Sequence, residues 1–295
     1  MNLLLVRTGG LGDCILTLPV ASRLRELHPD ARLHVLGNGA MLDVARLAGG
    51  FESLRSIDEA GFASLFSGAG PTGFLRSFFS RFDDVLFFTA ADPSMIRRSV
   101  LASGARVCRV LDPRPPEGFS GHISSHLLSI IGGLSAESPS LPAVISENAP
   151  ARIPGRLLIH PGSGSAEKTW PLDRFLAIAE RWSGDAVFLL GPAEEERGAV
   201  SRIPERWTTL RGLSVRDAAK AVASAGFFLG CDSGVSHLAA LCGTPSVVLF
   251  GPSDPAVWRP LGERTTVIVS TDRTMEGIGA DDVVETVERL QSGLD

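Results

Sequence analysis

Short apolar runs alternate with longer stretches of helical periodicity along the chain. In the first half, the runs that we predict as buried strands are Leu3–Arg7, Arg32–Leu36, Asp84–Thr89 and Arg106–Leu111. The predicted helices of this half are Asp13–Leu27, Ala40–Ala48 and Pro93–Ser103. Gly61–Phe82 is rich in Phe, Gly and Ser and fits neither pattern. Strands that alternate with helices predict βαβ units and a parallel sheet.

A second series of the same kind follows a stretch that is rich in Pro and Ser, Ser138–Pro154, which we predict as a linker. Its strands are Arg156–His160, Ala186–Leu190, Ala225–Gly230 and Ser246–Phe250, with Val267–Ser270 near the end. Its helices are Leu172–Trp182, Val215–Ala223, Val235–Leu241 and Ala280–Gln291. We therefore expect an α/β fold with two doubly wound domains, residues 1–145 and 150–295, and a ligand cleft between them.

Composition narrows the classes of function. The 295 residues are 44% hydrophobic, enough for two cores, and the net charge of −5 comes without a basic block. This charge distribution disfavours nucleic acid as a partner. The four cysteines lack disulfide or zinc spacing, so we expect reduced thiols in a cytoplasmic protein. Met1–Val6 is too short for a signal peptide or a membrane span.

A glycine-rich turn with one carboxylate follows the first strand, at Arg7–Asp13. A dinucleotide-binding fingerprint would need glycine where Ile15 stands, which disfavours an NAD enzyme. Asp13 opens the next predicted helix and has two interpretations. It is either an ordinary helix cap or a general base that faces the cleft.

The segment His160–Pro171 is close to a P-loop but departs from it twice. Glu167 stands where the second glycine belongs, and Pro171 restricts the residue before it, so an NTPase is disfavoured. A turn of small residues after a strand still suits a diphosphate, which backbone N–H groups and Ser163 could hold while Lys168 offsets its charge. The alternative is a solvated lysine on a loop.

The segment Phe228–His237 predicts an apolar strand that ends at Asp232 and a helix that begins near Ser233. Free N–H groups at a helix start, with the positive end of the helix dipole, form a phosphate site. Gly234 would let the ligand approach, and His237 lies one turn on. The alternative is an ordinary capped helix with His237 on the surface. The hydrolase motif G-x-S-x-G is absent, so a Ser–His pair is discounted.

At these segments the chain resembles glycosyltransferase family 9, the ADP-heptose:lipopolysaccharide heptosyltransferases. The resemblance spans nearly the whole chain, and its strongest parts are Val6–Pro19, His160–Pro171, Asp232–His237, Gly243–Pro245 and Phe250–Pro255. It implies a GT-B fold of two Rossmann-like domains that face each other across a cleft. The N-terminal domain would bind the acceptor and the C-terminal domain the nucleotide sugar. The last helix, residues 280–291, would pack back on the N-terminal domain.

The resemblance also implies an inverting transfer of heptose from ADP-heptose to a lipopolysaccharide core or related glycan, with no cofactor. No D-x-D triplet is present to bind a metal, so we expect a metal-independent reaction. Asp13 and Lys168 would be catalytic. The donor-binding residues would be Gly162, Ser163, Lys168, Glu194 (or Glu195), Leu213, Asp232, Ser233, Gly234 and His237. The acceptor side would comprise Thr8, Gly9, Gly10, Gly12, Arg97 and Arg98.

The chain departs from the family pattern on the acceptor side. The N-terminal domain is short, Thr89–Pro93 replaces a charged segment, and His122–His126 lacks the usual Glu-Arg. Two other functions therefore stay open: a non-catalytic nucleotide-sugar-binding homologue and a nucleotide-sugar epimerase. Phe62–Phe82 has two interpretations as well, core packing or an apolar face for a lipid-linked acceptor at the inner membrane.

Overall fold

The chain divides into two compact units, Met1–Ile145 and Ser146–Asp295. The computed structural model describes residues 1–67, 70–132, 139–142 and 150–292. Each unit contains an open parallel sheet, which confirms the predicted α/β class. Of the predicted linker, Ser138–Pro154, the structure describes residues 139–142 and 150–154.

The sheet of the first unit has five parallel strands in the order β3-β2-β1-β4-β5. The strands are β1 (Asn2–Arg7), β2 (Arg32–Gly37), β3 (Ser53–Ser56), β4 (Asp84–Phe88) and β5 (Val107–Leu111). Four of these strands were predicted from apolar runs. Strand β3 was missed because its four residues alternate between exposed and half-buried at the edge of the sheet.

The first unit also contains helices α1 (Leu11–Leu16), α2 (Leu18–Leu27), α3 (Gly39–Ala48), α4 (Gly73–Phe79), α5 (Pro93–Ala102) and α6 (Ile123–Ile130). The prediction of one helix over Asp13–Leu27 was wrong, because the helix is interrupted at Thr17. Pro19 occupies the first turn of α2, where its missing N–H removes no hydrogen bond. The Thr17 hydroxyl donates to the carbonyl of Asp13 at 2.8 Å.

The phenylalanine-rich stretch forms part of the first core. It contains a 3-10 helix, Ala60–Leu65, followed by α4. Phe62, Phe78 and Phe79 are buried, and the rings of Phe62 and Phe78 meet edge to face with centroids 4.9 Å apart. Core packing is therefore the correct interpretation for these side chains, whereas Phe66 is 45% exposed.

The second unit has six parallel strands in the order β11-β10-β9-β6-β7-β8. The strands are β6 (Ile153–His160), β7 (Asp185–Leu189), β8 (Thr208–Leu210), β9 (Ala225–Cys231), β10 (Ser246–Phe250) and β11 (Thr265–Val269). The chain proceeds from β6 to one edge, then returns to β9 on the other side of β6. The point between β6 and β9 is thus a topological switch, where open α/β sheets bind ligands.

The helices of the second unit are α7 (Leu172–Arg181), α8 (Pro192–Glu196), α9 (Val215–Ser224), α10 (Gly234–Leu241), α11 (Pro255–Trp258) and α12 (Ala280–Ser292). Residues of α7 and α12 share one apolar cluster with Leu157 and Ile159 of β6, while residues of α9 and α10 pack with Leu158. Successive strand residues point to opposite faces, so both faces of this sheet are covered.

The last helix, α12, buries Val283 and Val287 in the core of the second unit. The expectation that it also packs back on the N-terminal domain stays a prediction. Among the described residues, none of the helices combines the length and apolar character that a membrane crossing needs.

The four cysteines are free thiols. Cys14, Cys108 and Cys231 are buried and Cys242 is half-buried. Burial raises the pKa of each thiol to about 12. These thiols are therefore protonated at neutral pH and poorly reactive.

We expect Phe62→Ala to lower the free energy of unfolding by about 3–5 kcal/mol, because it leaves a cavity among packed aromatic rings. Urea unfolding followed by circular dichroism measures this loss. Phe66→Ala is the matched control, and it should have little effect because the side chain is 45% exposed. An equal loss in both variants would contradict the assignment of Phe62 to the core.

Candidate functional site

The predicted donor-site residues of the second unit follow the carboxyl ends of its strands. The turn that begins at Gly162 follows β6, and Asp232 follows β9. These two strands are neighbours, with His160 paired to Gly230 at their ends. The sheet therefore places both predicted anion-binding turns together at the topological switch.

An ion pair joins the two turns. Lys168 Nζ donates to Asp232 Oδ2 at 2.9 Å, and Ser253 Oγ donates to the same oxygen at 2.7 Å. The Ser163 hydroxyl donates to the Asp232 carbonyl at 2.7 Å. The side chain of Asp232 is 8% exposed and that of Lys168 is 37% exposed. Lys168 is therefore an ion-paired residue, and the alternative of a solvated loop lysine is wrong.

Trp170 explains why Lys168 reaches Asp232. Its indole is fully buried and donates to the carbonyl of Ile278 at 3.1 Å. Its backbone N–H donates to Cys231 Sγ at 3.3 Å, directly beside Asp232. Trp170 thus ties the loop that carries Lys168 to strand β9. The sequence pattern placed Trp170 in the segment His160–Pro171 but gave no indication of this structural role.

Glu194 on α8 lies against the Gly162 turn. It is 5% exposed, and its Oε2 accepts from the backbone N–H of Gly191 at 2.8 Å. A Cβ at position 162 would overlap the Glu194 carboxylate, so any residue other than glycine would displace that side chain. Glu195 is exposed, so Glu194 is the acidic residue at the turn.

His160 lies beneath the same turn as a neutral imidazole. Its Nδ1 is 2.8 Å from the carbonyl of Leu189, which can only accept, so Nδ1 carries the proton. Burial lowers the pKa of His160, although the nearby Glu194 acts in the opposite direction. His160 therefore adds no positive charge to the site at neutral pH.

Helix α10 starts at the second turn as predicted. The hydroxyl of Ser233 caps it by accepting from the backbone N–H of Ser236 at 3.4 Å. Gly234 and Val235 begin the helix, so their N–H groups have no acceptor within it, whereas the N–H of Ser236 already donates to Ser233. His237 is only 4% exposed, so the alternative of a surface histidine is wrong.

Leu213 stands apart from this cluster. It follows β8, the edge strand, and its side chain is 38% exposed. It shares the carboxyl edge of the sheet with the other residues, two strands away from β6.

In the first unit, Asp13 both caps α1 and remains accessible. Its Oδ2 accepts from the backbone N–H of Gly10 at 3.1 Å, and its side chain is 44% exposed. Gly9 has a φ of 139°, which disfavours any other residue. Asp13 is therefore a helix cap, and its exposure leaves open the other interpretation, that of a general base.

Arg7 is a neighbour of Asp13 that sequence reasoning did not select. Its Nη2 lies 3.4 Å from Asp13 Oδ1, and the side chain is 9% exposed. Burial lowers the pKa of Arg7, and the charge of Asp13 opposes this effect. The sequence did offer a signal for Arg7, because a cation at the last position of an apolar strand is unusual and needs a partner.

The other predicted acceptor-side residues lie on the surface around β1 and β4. Thr8 and Gly10 are exposed in the turn after β1, and Gly12 lies in the first turn of α1. Arg97 and Arg98 are exposed on α5, which follows the neighbouring strand β4. The described residues show no hydrogen bond or ion pair between these arginines and Asp13.

The family described as glycosyltransferase family 9 (heptosyltransferase) matches residues 146–287. Lipopolysaccharide heptosyltransferase 3 of Escherichia coli is 24% identical over 291 residues, which cover 84% of this chain and 83% of the relative. The chain is therefore similar to glycosyltransferase family 9, with the family match over just under half of its length. Lipopolysaccharide heptosyltransferase 1 of Escherichia coli K12 is 28% identical over 131 residues, 42% of this chain and only 40% of that relative.

A solved structure shares the fold over the whole length. The Escherichia coli ADP-heptose lipopolysaccharide heptosyltransferase II superposes with a TM-score of 0.79 at 17% identity and covers 99% of both chains. This likeness confirms the Rossmann-like GT-B architecture. The segment matched by glycosyltransferase family 9 contains the paired Lys168 and Asp232, whereas Asp13 lies outside it.

We expect Gly162→Ala to lower the free energy of unfolding of the second unit by about 1–3 kcal/mol, because its methyl group would overlap the Glu194 carboxylate. All four tryptophans lie in this unit, so urea unfolding followed by tryptophan fluorescence reports on it. Gly164→Ala is the matched control, since a Cβ there meets nothing within 4 Å. Glu194→Ala should relieve the cost of Gly162→Ala, and an unchanged cost would contradict the contact.

Proposed function

We propose that this chain is an inverting, metal-independent glycosyltransferase that moves heptose from ADP-heptose to a glycan acceptor, such as a lipopolysaccharide core. The observation that carries the proposal is the convergence of Lys168, the Ser163 turn and the start of α10 on Asp232. The match to glycosyltransferase family 9 and the names of the relatives support this choice of donor and acceptor.

The second unit would hold the diphosphate of the donor. The backbone N–H groups at the start of α10 and in the turn after Gly162 would donate to phosphoryl oxygens. Lys168 would interact with both the phosphates and Asp232. Asp232 would contact the sugar. Glu194 would approach the ribose and Leu213 the adenine. Ser233, Gly234 and His237 belong to the same helix start.

The first unit would supply the base. Asp13 would take the proton from an acceptor hydroxyl, whose oxygen forms the new bond to the anomeric carbon. The bond from that carbon to the phosphate oxygen breaks on the opposite face, so the anomeric configuration inverts and ADP leaves. Donors that are fixed before the reaction would stabilise the charge that develops on the leaving phosphate.

The acceptor would contact the first unit beside Asp13. Thr8, Gly9, Gly10 and Gly12 lie in the segment directly before Asp13, and Arg97 and Arg98 would attract an acidic glycan. We place this reaction in the cytoplasm, with an acceptor that is lipid-linked at the inner membrane.

We expect the purified chain to bind ADP more tightly than UDP or GDP, and EDTA should not change the affinity. Isothermal titration calorimetry measures both properties. Lys168→Ala should weaken ADP binding by about ten- to a hundredfold, since it removes a charge-assisted hydrogen bond. Lys220→Ala is the control, because Lys220 is the only other lysine and pairs with Asp217 on the surface of α9. Unchanged ADP affinity in Lys168→Ala would rule out its role.

We expect Asp13→Asn to reduce turnover by about 10²–10⁴-fold, the usual contribution of a general base, while ADP affinity stays the same. The amide can still accept the hydrogen bond from Gly10, so α1 keeps its cap. Product formation from ADP-heptose measures turnover, and proton NMR of the product gives its anomeric configuration. Asp43→Asn, at a half-buried carboxylate of α3 that pairs with Arg46, is the control. Full turnover in Asp13→Asn, or a retained configuration, would contradict the mechanism.

A further inference from the structure

The charges around the proposed diphosphate site do not balance if Lys168 is its only cation. Lys168 is already paired with Asp232 at 2.9 Å. Glu194 adds a buried carboxylate against Gly162, and His160 is neutral. A diphosphate would bring further negative charge to a site whose own cation is already neutralised. Another positive group within reach would add to the hydrogen bonds from the backbone N–H groups and strengthen the binding of a diphosphate.

Arg197, at the end of α8, is placed to supply this charge. Its Nη1 donates to the Ser163 carbonyl at 3.1 Å and lies 3.5 Å from Thr169 Oγ1. These two contacts join Arg197 to both ends of the turn that contains Lys168. The side chain is exposed, so a ligand on the surface of the turn can reach it.

The two contacts of Arg197 leave its charge uncompensated. A carbonyl and a hydroxyl are neutral acceptors, and Arg197 forms no ion pair with any carboxylate of the described residues. The neighbouring Arg202, by contrast, is paired with Asp173 at 3.2 Å. A guanidinium group has five N–H donors, so most of them remain available for phosphoryl oxygens.

We infer that Arg197 binds the diphosphate of the donor as a second cation beside Lys168. The inference rests on the proposed function, in which a nucleoside diphosphate occupies this turn. The bond to Ser163 fixes the guanidinium, and its remaining donors match two phosphoryl oxygens in the geometry that favours arginine over lysine.

Arg197→Gln tests the inference, because it removes the charge while keeping a polar side chain that can donate hydrogen bonds. We expect ADP to bind about ten- to a hundredfold more weakly. We also expect the affinity to depend less steeply on salt than in the wild type, since one charge contact has been removed. Arg197→Lys keeps the charge without the paired N–H donors of the guanidinium group, so its affinity for ADP should be intermediate. Arg202→Gln is the control and should bind ADP as the wild type does.

Wild-type affinity or an unchanged salt dependence in Arg197→Gln would overturn the inference and leave the proposed function intact. An unchanged salt dependence would mean that Arg197 only holds the Ser163 turn in place. Loss of its hydrogen bond to a neutral carbonyl would not alter the dependence of ADP affinity on salt. Absence of ADP binding to the wild type would overturn both proposals. Thermal unfolding of each variant identifies any that fails to fold, and Arg197→Lys then provides the same test of affinity and salt dependence.

Discussion

The candidate site of the second unit depends on one partly buried carboxylate, that of Asp232. A carboxylate that is removed from water needs charged or hydrogen-bonding partners, or it destabilises the fold. Here the partners come from two other loops, with Lys168 after β6 and Ser253 after β10. Because the three loops meet on one group, their mutual positions are fixed by electrostatics as well as by the sheet. The anion-binding turns are thereby set before any ligand arrives.

The local chemistry of this site could be predicted because each part lies directly after an apolar strand. Gly162, Lys168 and Asp232 were selected for this reason, and the parallel sheet brings them together. Arg197 could not be selected in this way, because it follows a short helix and nothing in the local pattern distinguishes it from a solvated surface residue. Ser253 does follow a predicted strand, but its contact with Asp232 depends on the pairing of β9 with β10. The sequence pattern does not specify that strand order.

The same distinction separates the secondary structure that was predicted from that which was missed. Buried central strands are continuous apolar runs, so β1 and β6 were readily found. The edge strands β3 and β8 have four and three residues with little burial, and their pairing is decided by the neighbouring strand. The break at Thr17 was missed although Pro19 gave the signal, because a proline within a helical pattern is compatible with a kink in one helix as well as with the start of a second helix.

In the ion pair of Arg7 and Asp13, the burial of the cation and of the carboxylate is the reverse of that in the pair of Lys168 and Asp232. In the second unit the carboxylate is buried and its lysine is half-exposed, whereas in the first unit the arginine is buried and the carboxylate is 44% exposed. Arg7 Nε has no hydrogen-bond partner among the described residues, so Asp13 is the main compensation for a desolvated guanidinium. An apolar residue at the end of β1 would avoid this penalty. The first unit therefore tolerates a buried cation, Arg7, whose electric field acts on the accessible carboxylate of Asp13. The second unit instead holds the carboxylate of Asp232 in place and leaves its cations within reach of a ligand.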